Sequence, residues 1–292
     1  MTLRKTAPAP DKGFWEEISA MLPMALNHMT VAKAGFSALL DLAQQLGCVG
    51  IEVRNDLPLA LFDGMTPERA GVAAREKGLR ILALAEIKQF NIWSEEKRAE
   101  ATALMKIATA SGAEAVSLIP RNDGQGLGNG ERQANLRLAL RELKPMLEQH
   151  RLTGLVEPLG FESCSVRHKA EAVDAIEAVG GAECFKLVHD TFHHHLAGGG
   201  ALFPDHTGIV HLSGVADPAL ATSEMRDEHR VLVDAKDRLG NIEQIIALMH
   251  AGYSGPLSFE AFAPEVHASG TLGQDLARSF EFIRSRVSET VG

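Results

Sequence analysis

The run Leu187-Val188-His189-Asp190-Thr191-Phe192-His193-His194-His195 joins an apolar stretch to one carboxylate and four imidazoles. Asp190 offers a hard oxygen ligand at the mouth of what reads as a buried strand breaking into a loop. His189, His193, His194 and His195 set nitrogen ligands or acid/base groups around it. The plain alternative for such a tract is solvation or packing. Three other apolar runs also end on a ligand type: Leu155-Val156 on Glu157, Ile209-Val210 on His211 and Ser258-Phe259 on Glu260. If these ends converge, three carboxylates share a pocket and repel one another at low dielectric. A divalent cation relieves that repulsion, and three oxygens with one nitrogen suit Mn, Mg, Co, Zn or Fe rather than a thiophilic metal.

Convergence demands a fold that brings distant strand ends together. From Met24 onward a short apolar run, a polar loop and a helical stretch repeat. The runs are Met24 to Asn27, Val49 to Val53, Ile81 to Ala85, Ala115 to Ile119, Leu152 to Val156, Phe185 to Val188, Ile209 to Leu212 and Pro256 to Phe259. Helices are expected over Gly35 to Leu46, Thr66 to Lys77, Ser94 to Ser111, Gly130 to His150, Val166 to Val179, Asn241 to Ala251 and Gly270 to Val287. Thr66-Pro67-Glu68 and Ser94-Glu95-Glu96 are helix starts, since a hydroxyl caps free amides and early carboxylates suit the dipole. Short, uninterrupted apolar strands alternating with helices imply a covered parallel sheet, and eight units imply a closed (β/α)8 TIM barrel. A doubly wound sheet is the alternative, but no GxGxxG follows the first strand. The sixth helix, near Gly198 to Pro204, is expected to be short. The connection from Ser213 to Gly240 is long enough to be a lid or binding loop.

At 292 residues with no linker-like stretch, the chain reads as one α/β domain, residues 23–292, behind an N-terminal extension of residues 1–22. Within that extension Phe14 to Met21 is expected to form a short amphipathic helix. The formal charge of -9, with no Lys/Arg cluster, argues against nucleic acid or an anionic membrane as partner. Cys48, Cys164 and Cys184 lack CxxC spacing, so neither a disulfide framework nor a thiolate zinc site is indicated and a cytoplasmic location fits. No apolar run is long enough to span a bilayer, and no signal-peptide pattern opens the chain.

Glu157-Pro158, His189-Asp190-Thr191-Phe192-His193, His211-Leu212 and Phe259-Glu260 resemble the signature of the xylose-isomerase-like barrels, and within them the inosose (2-keto-myo-inositol) isomerases of inositol catabolism. Asp227-Glu228-His229-Arg230-Val231 and Glu260-Ala261-Phe262-Ala263-Pro264-Glu265 add to the likeness, which runs from Met24 to about Val287. The resemblance implies Glu157, Asp190, His211 and Glu260 as metal ligands, His193 and Arg230 as substrate contacts, and pairing into a homodimer. Two departures stand out. Ser213-Gly214 follow His211-Leu212 where the family usually has an Asp or Lys-Asp pair. Val233 to Gly240 replaces a Pro-Gly-x-Gly turn.

The implied reaction is proton transfer on a keto-polyol through a cis-enediolate. A chelating cation stabilises charge on the carbonyl oxygen and makes the adjacent C–H more acidic. Glu157 and Glu260 are expected to be the proton-transfer pair as well as ligands, with His193 polarising an oxygen or shuttling a proton. Asn27 and Glu86 are further candidates for substrate binding, with Asn27 and His28 equally readable as loop residues. Glu52 and Arg54 read as an interior salt bridge or as substrate contacts. Phe90 and Trp93 read as packing or as cover for a ring. Ketose 3-epimerases or aldose-ketose isomerases on the same scaffold are the alternative. Gly160 and Ser163 depart from the Glu-x-x-Asn-x-x-Glu of ketohexose epimerases. An endonuclease-IV-like phosphodiesterase is a third reading, against which the acidic charge argues.

Overall fold

A computed structural model describes residues 22–291. The expected helix over Phe14 to Met21 lies outside them. Eight parallel strands close into one barrel: β1 (Met24–Asn27), β2 (Gly50–Arg54), β3 (Arg80–Lys88), β4 (Ala115–Ile119), β5 (Thr153–Val156), β6 (Phe185–Asp190), β7 (Thr207–Leu212) and β8 (Leu257–Phe259). Closure is made by β1 and β8, which pair Met24 with Leu257 and Leu26 with Phe259. The strands are buried almost throughout, as the uninterrupted apolar runs require of a sheet covered on both faces.

The helices around the barrel are α1 (Phe36–Gln45), α2 (Pro67–Glu76), α3 (Glu95–Ser111), α4 (Asn129–His150), α5 (Lys169–Ala178), α6 (Thr191–Leu196), α7 (Asn241–His250), α8 (Pro264–His267) and α9 (Leu272–Val291). Their ends follow the local chemistry. Thr66 caps α2 by accepting from the Arg69 amide, and Ser94 caps α3 by accepting from the Lys97 amide. The sheet's outer face and the inner faces of the helices form one continuous apolar core containing Phe36, Leu39, Phe90, Leu140, Phe185, Phe259 and Phe280. Cys48, Cys164 and Cys184 are buried free thiols within the fold. Among the described residues no helix is long and apolar enough to cross a membrane.

Two expectations are corrected. The histidine tract is not a loop: β6 runs on through Asp190, whose carboxylate caps α6 by accepting from the amides of Phe192 (2.7 Å) and His193 (3.0 Å). That cap starts a helix which the residue types alone do not favour. The short sixth helix therefore lies at Thr191–Leu196, whereas Gly198, Gly199 and Gly200 all take positive φ and form a turn leading to Pro204. The connection after β7, read as a lid or binding loop, is internally organised. Gly214 and Val231 bridge across it, and Asp237 accepts from the Leu239 and Asn241 amides. Its job in the fold is to carry Arg230 to the barrel mouth.

Candidate metal centre and substrate cavity

Four consecutive strand ends, β5 to β8, place Glu157, Asp190, His211 and Glu260 together. One ligand atom from each lies within 4.8 Å of all the others, and all four side chains are buried. Nδ1 of His211 lies 3.2 Å from Glu260 Oε2, 3.5 Å from Glu157 Oε1 and 3.9 Å from Asp190 Oδ2. It is buried yet makes no hydrogen bond. The other ring nitrogen, Nε2, is 3.1 Å from Glu52 Oε2, across the barrel on β2. An imidazole whose Nε2–H donates to a buried carboxylate presents its Nδ1 lone pair to the opposite side. That is the tautomer a metal ligand needs. Glu52 is fixed in turn by Ser258, whose hydroxyl donates to Oε1 at 2.5 Å. The residues present therefore fit a divalent cation in both donor chemistry and orientation.

The electrostatics say the same thing. Burial opposes charge on His211, but Glu52, Glu260 and Glu157 outweigh it and raise the imidazole well above its ordinary range. The centre of the group demands a positive charge, whether a proton or a metal ion. Around it two guanidinium groups supply more. Arg230 Nη2 donates to Asp190 Oδ2 at 2.5 Å and to Glu260 Oε2 at 3.0 Å, while Arg54 Nη1 donates to Glu260 Oε1 at 3.0 Å. Although burial pulls the other way, His211, Arg230 and Arg54 hold the Glu260 carboxyl far below its ordinary value, and Arg230 and His193 lower Asp190. Glu157 differs. Burial dominates over its His211 neighbour and pushes it up to about 7. The three carboxylates are thus unequal: Asp190 and Glu260 are held ionised by arginine, and Glu157 is the one poised to exchange a proton.

Above this group sits a cavity of about 230 Å³ whose walls include Glu157, His193, Arg230, Glu260 and Glu86. His193 is buried between Phe161 and Phe192, edge-on to both rings at 5.2 Å, and its Nδ1 has no hydrogen-bond partner. Arg230 lines the cavity, but its donors are occupied by Ser213, Asp227, Asp190 and Glu260, and its guanidinium stacks over Phe262 at 4.6 Å. Ser213, at the position of the first departure, is thus one of the four groups that orient Arg230. Glu86 is gripped by Arg54 (3.1 Å) and Lys88 (3.2 Å).

Other candidates lie elsewhere. Asn27 does not reach the cavity wall, because its Oδ1 turns back to accept from the Met29 amide at 3.0 Å. His28 is tied to the Ala34 carbonyl. Phe90 is core, and Trp93 packs at the surface beneath Arg98. His189 and His194 face Lys169, not the carboxylates, so β6 and α6 contribute Asp190 and His193 alone. Residues not singled out for the site were Phe161, Phe262, Met29 and Ser213. Phe161 follows Gly160 and Phe262 stands two residues beyond Glu260, but neither residue type announces a site.

Two substitutions test this reading. Glu52→Gln is expected to weaken divalent-metal affinity about 10- to 100-fold, the usual effect of losing the carboxylate behind a ligating imidazole. Competition with a chromophoric chelator measures it, and an unchanged affinity would remove Glu52 from the centre. Gly160 explains the missing epimerase-type Asn. A Cβ there would stand 2.2 Å from the His193 carbonyl and 2.6 Å from Leu196 Cβ. Gly160→Ala is therefore expected to push α6 outward and cost about 1–3 kcal/mol of stability, read as a lower urea midpoint.

A family model described as xylose isomerase-like TIM barrel matches residues 40–286. None of the curated proteins matches the chain. Among solved structures, a xylose isomerase domain containing protein (STM4435) from Salmonella typhimurium LT2 aligns with a TM-score of 0.83 at 28% identity, covering 89% of this chain and 97% of that one. An IolI protein with a bound zinc atom aligns at 0.80 and 20% identity, covering 93% and 99%. D-allulose 3-epimerase from Methylomonas sp. aligns at 0.69 and 18% identity, covering 91% and 98%. The last two likenesses are to the fold.

Proposed function

Because this chain belongs to the xylose isomerase-like TIM barrel family, we propose that it is a divalent-metal-dependent isomerase of a keto-polyol of the inosose type. The observation that carries the reading is the convergence of Glu157, Asp190, His211 and Glu260 beneath a cavity of about 230 Å³, with the His211 Nδ1 left free to ligate. A divalent cation bound by those four residues would stabilise the negative charge that develops on a substrate carbonyl oxygen.

The remaining work falls to this chain's side chains. Glu157 takes the proton from the carbon beside the carbonyl, since it alone of the three carboxylates has no arginine partner. The product of that step is the cis-enediolate. Glu260, which also faces His211 Nδ1, is the candidate to complete the transfer, although its two arginines make it the weaker base. His193 moves a proton between the two substrate oxygens, its ring held in one orientation by Phe161 and Phe192. Phe262 and Met29 give the cavity an apolar flank against the C–H face of a ring. Glu86 is the carboxylate that accepts from substrate hydroxyls.

Incubating the protein and a divalent metal with 2-keto-myo-inositol in deuterium oxide tests the proposal. Proton NMR is expected to show deuterium entering beside the carbonyl together with a shifted ketone. Loss of one stereocentre's identity without a carbonyl shift would make the enzyme an epimerase. No exchange with any inosose or ketohexose would end the reading.

A further inference from the structure

Lys169, at the start of α5, is 8% exposed and makes no ion pair with a carboxylate among the described residues, the charge of Asp190 reaching it only through space. Its ammonium group instead donates to two imidazoles, His189 Nδ1 at 2.8 Å and His194 Nδ1 at 2.7 Å. His189 is fixed in the accepting tautomer by its Nε2, which lies 2.9 Å from Gln244 Oε1. A buried ammonium between two neutral rings lacks the counter-charge that burial normally requires. None of these three residues takes part in the reaction proposed above.

Beside them lies a separate cavity of about 200 Å³, between α5, α6 and the Gly199–Ala201 turn. Its polar walls are rich in donors. Arg167 spends Nε on the Gly160 carbonyl and Nη2 on that of Leu196, leaving Nη1. The backbone amides of Gly200 and Ala201 have no acceptor among the described residues. One carboxylate lines the space, Asp190, and it is already spoken for: Oδ1 accepts from two α6 amides and Oδ2 from Arg230. Pro158, Val188 and Phe203 add apolar wall beside His168, His193 and His194, which strengthens any charge interaction inside.

We propose that this cavity binds an oxyanion, the phosphate or carboxylate group of a small metabolite, which supplies the counter-charge Lys169 lacks. Backbone amides of a glycine turn and a cationic side chain are the usual cradle for such a group. Burial brings the Lys169 ammonium down to about 7 against the opposing charge of Asp190, in keeping with a site left short of negative charge. His193 lines both cavities and Asp190 joins this one to the four-residue group, so an occupied cavity would brace α6 from behind.

The test is calorimetric titration of the metal-loaded protein with sodium phosphate and with sodium acetate at constant ionic strength. Saturable binding of at least one anion is expected, weakened tenfold or more in Lys169→Met and in Ala201→Glu. The second variant places a carboxylate at the exposed turn and keeps the result decisive should the first fail to fold. Binding that is absent in the wild type, or unchanged in a folded variant, overturns the proposal; unchanged binding would place the anion at the metal instead. Fructose 6-phosphate against fructose and free phosphate separates the sources. Tenfold tighter binding of the sugar phosphate than of either part would mean that one molecule bridges both cavities. Equal affinity for phosphate free or esterified would mean a separate effector.

Discussion

Glu157→Gln is expected to reduce keto-polyol turnover about 10²- to 10⁴-fold, the range lost when a positioned proton-transfer group is removed. The amide matches the carboxylate in shape but loses its charge, so metal affinity is expected to fall as well and turnover is compared at saturating metal. What disappears is the ability to take a proton from carbon. Glu157 suits this task because its neighbours do not commit it: burial pushes it up to about 7, whereas Glu260 is clamped by Arg54 and Arg230 and Asp190 by Arg230. Deuterium incorporation beside the carbonyl separates the proton step from binding, since a variant defective in binding alone would recover exchange at high substrate concentration. Exchange at the wild-type rate in metal-loaded Glu157→Gln would hand the proton transfer to another group.

The parts of this site that could be read from sequence are those set by local rules. Eight apolar runs specify a barrel, and a barrel sends every strand end to one rim. Glu157, Asp190, His211 and Glu260 could be associated with a common point because each closes an apolar run. The charges that balance them follow no local rule. Arg54 and Glu52 alternate on β2, but their partners Glu260 and His211 come from β8 and β7, and no spacing along the chain announces a contact across a barrel. Arg230 arrives on an irregular connection whose path depends on Gly214, Asp237 and Asn241. The misreading of the histidine tract has a similar origin. A carboxylate followed by free amides is a helix start, yet Asp190 reads first as a ligand, and histidine is a mediocre helix former. Asp190 does both: Oδ1 builds α6 and Oδ2 faces the centre. That sharing is why His193, three residues on, is delivered to the cavity.

Arg230→Met is expected to destabilise the metal-free protein by about 3–5 kcal/mol, the cost of stranding a buried charge whose partner is gone. Arg230 is 1% exposed, and its Nη2 is shared between Asp190 and Glu260, both themselves buried. Methionine fills much of the same volume between Phe192 and Phe262, so packing changes little and the loss is electrostatic. Arg54 cannot substitute, because it serves the other oxygen of Glu260 and is tied to Asp56 and Glu86. A divalent cation can. It would bring charge to the same two carboxylates, so the penalty should shrink when unfolding is measured with saturating manganese instead of a chelator. Urea titration of both proteins in both conditions gives four free energies and one coupling term. A destabilisation below about 1 kcal/mol in chelator, or one equal with and without metal, would mean that Arg230 and the cation do not answer the same negative charge, and the four-residue centre would have to be rebuilt around another counter-ion.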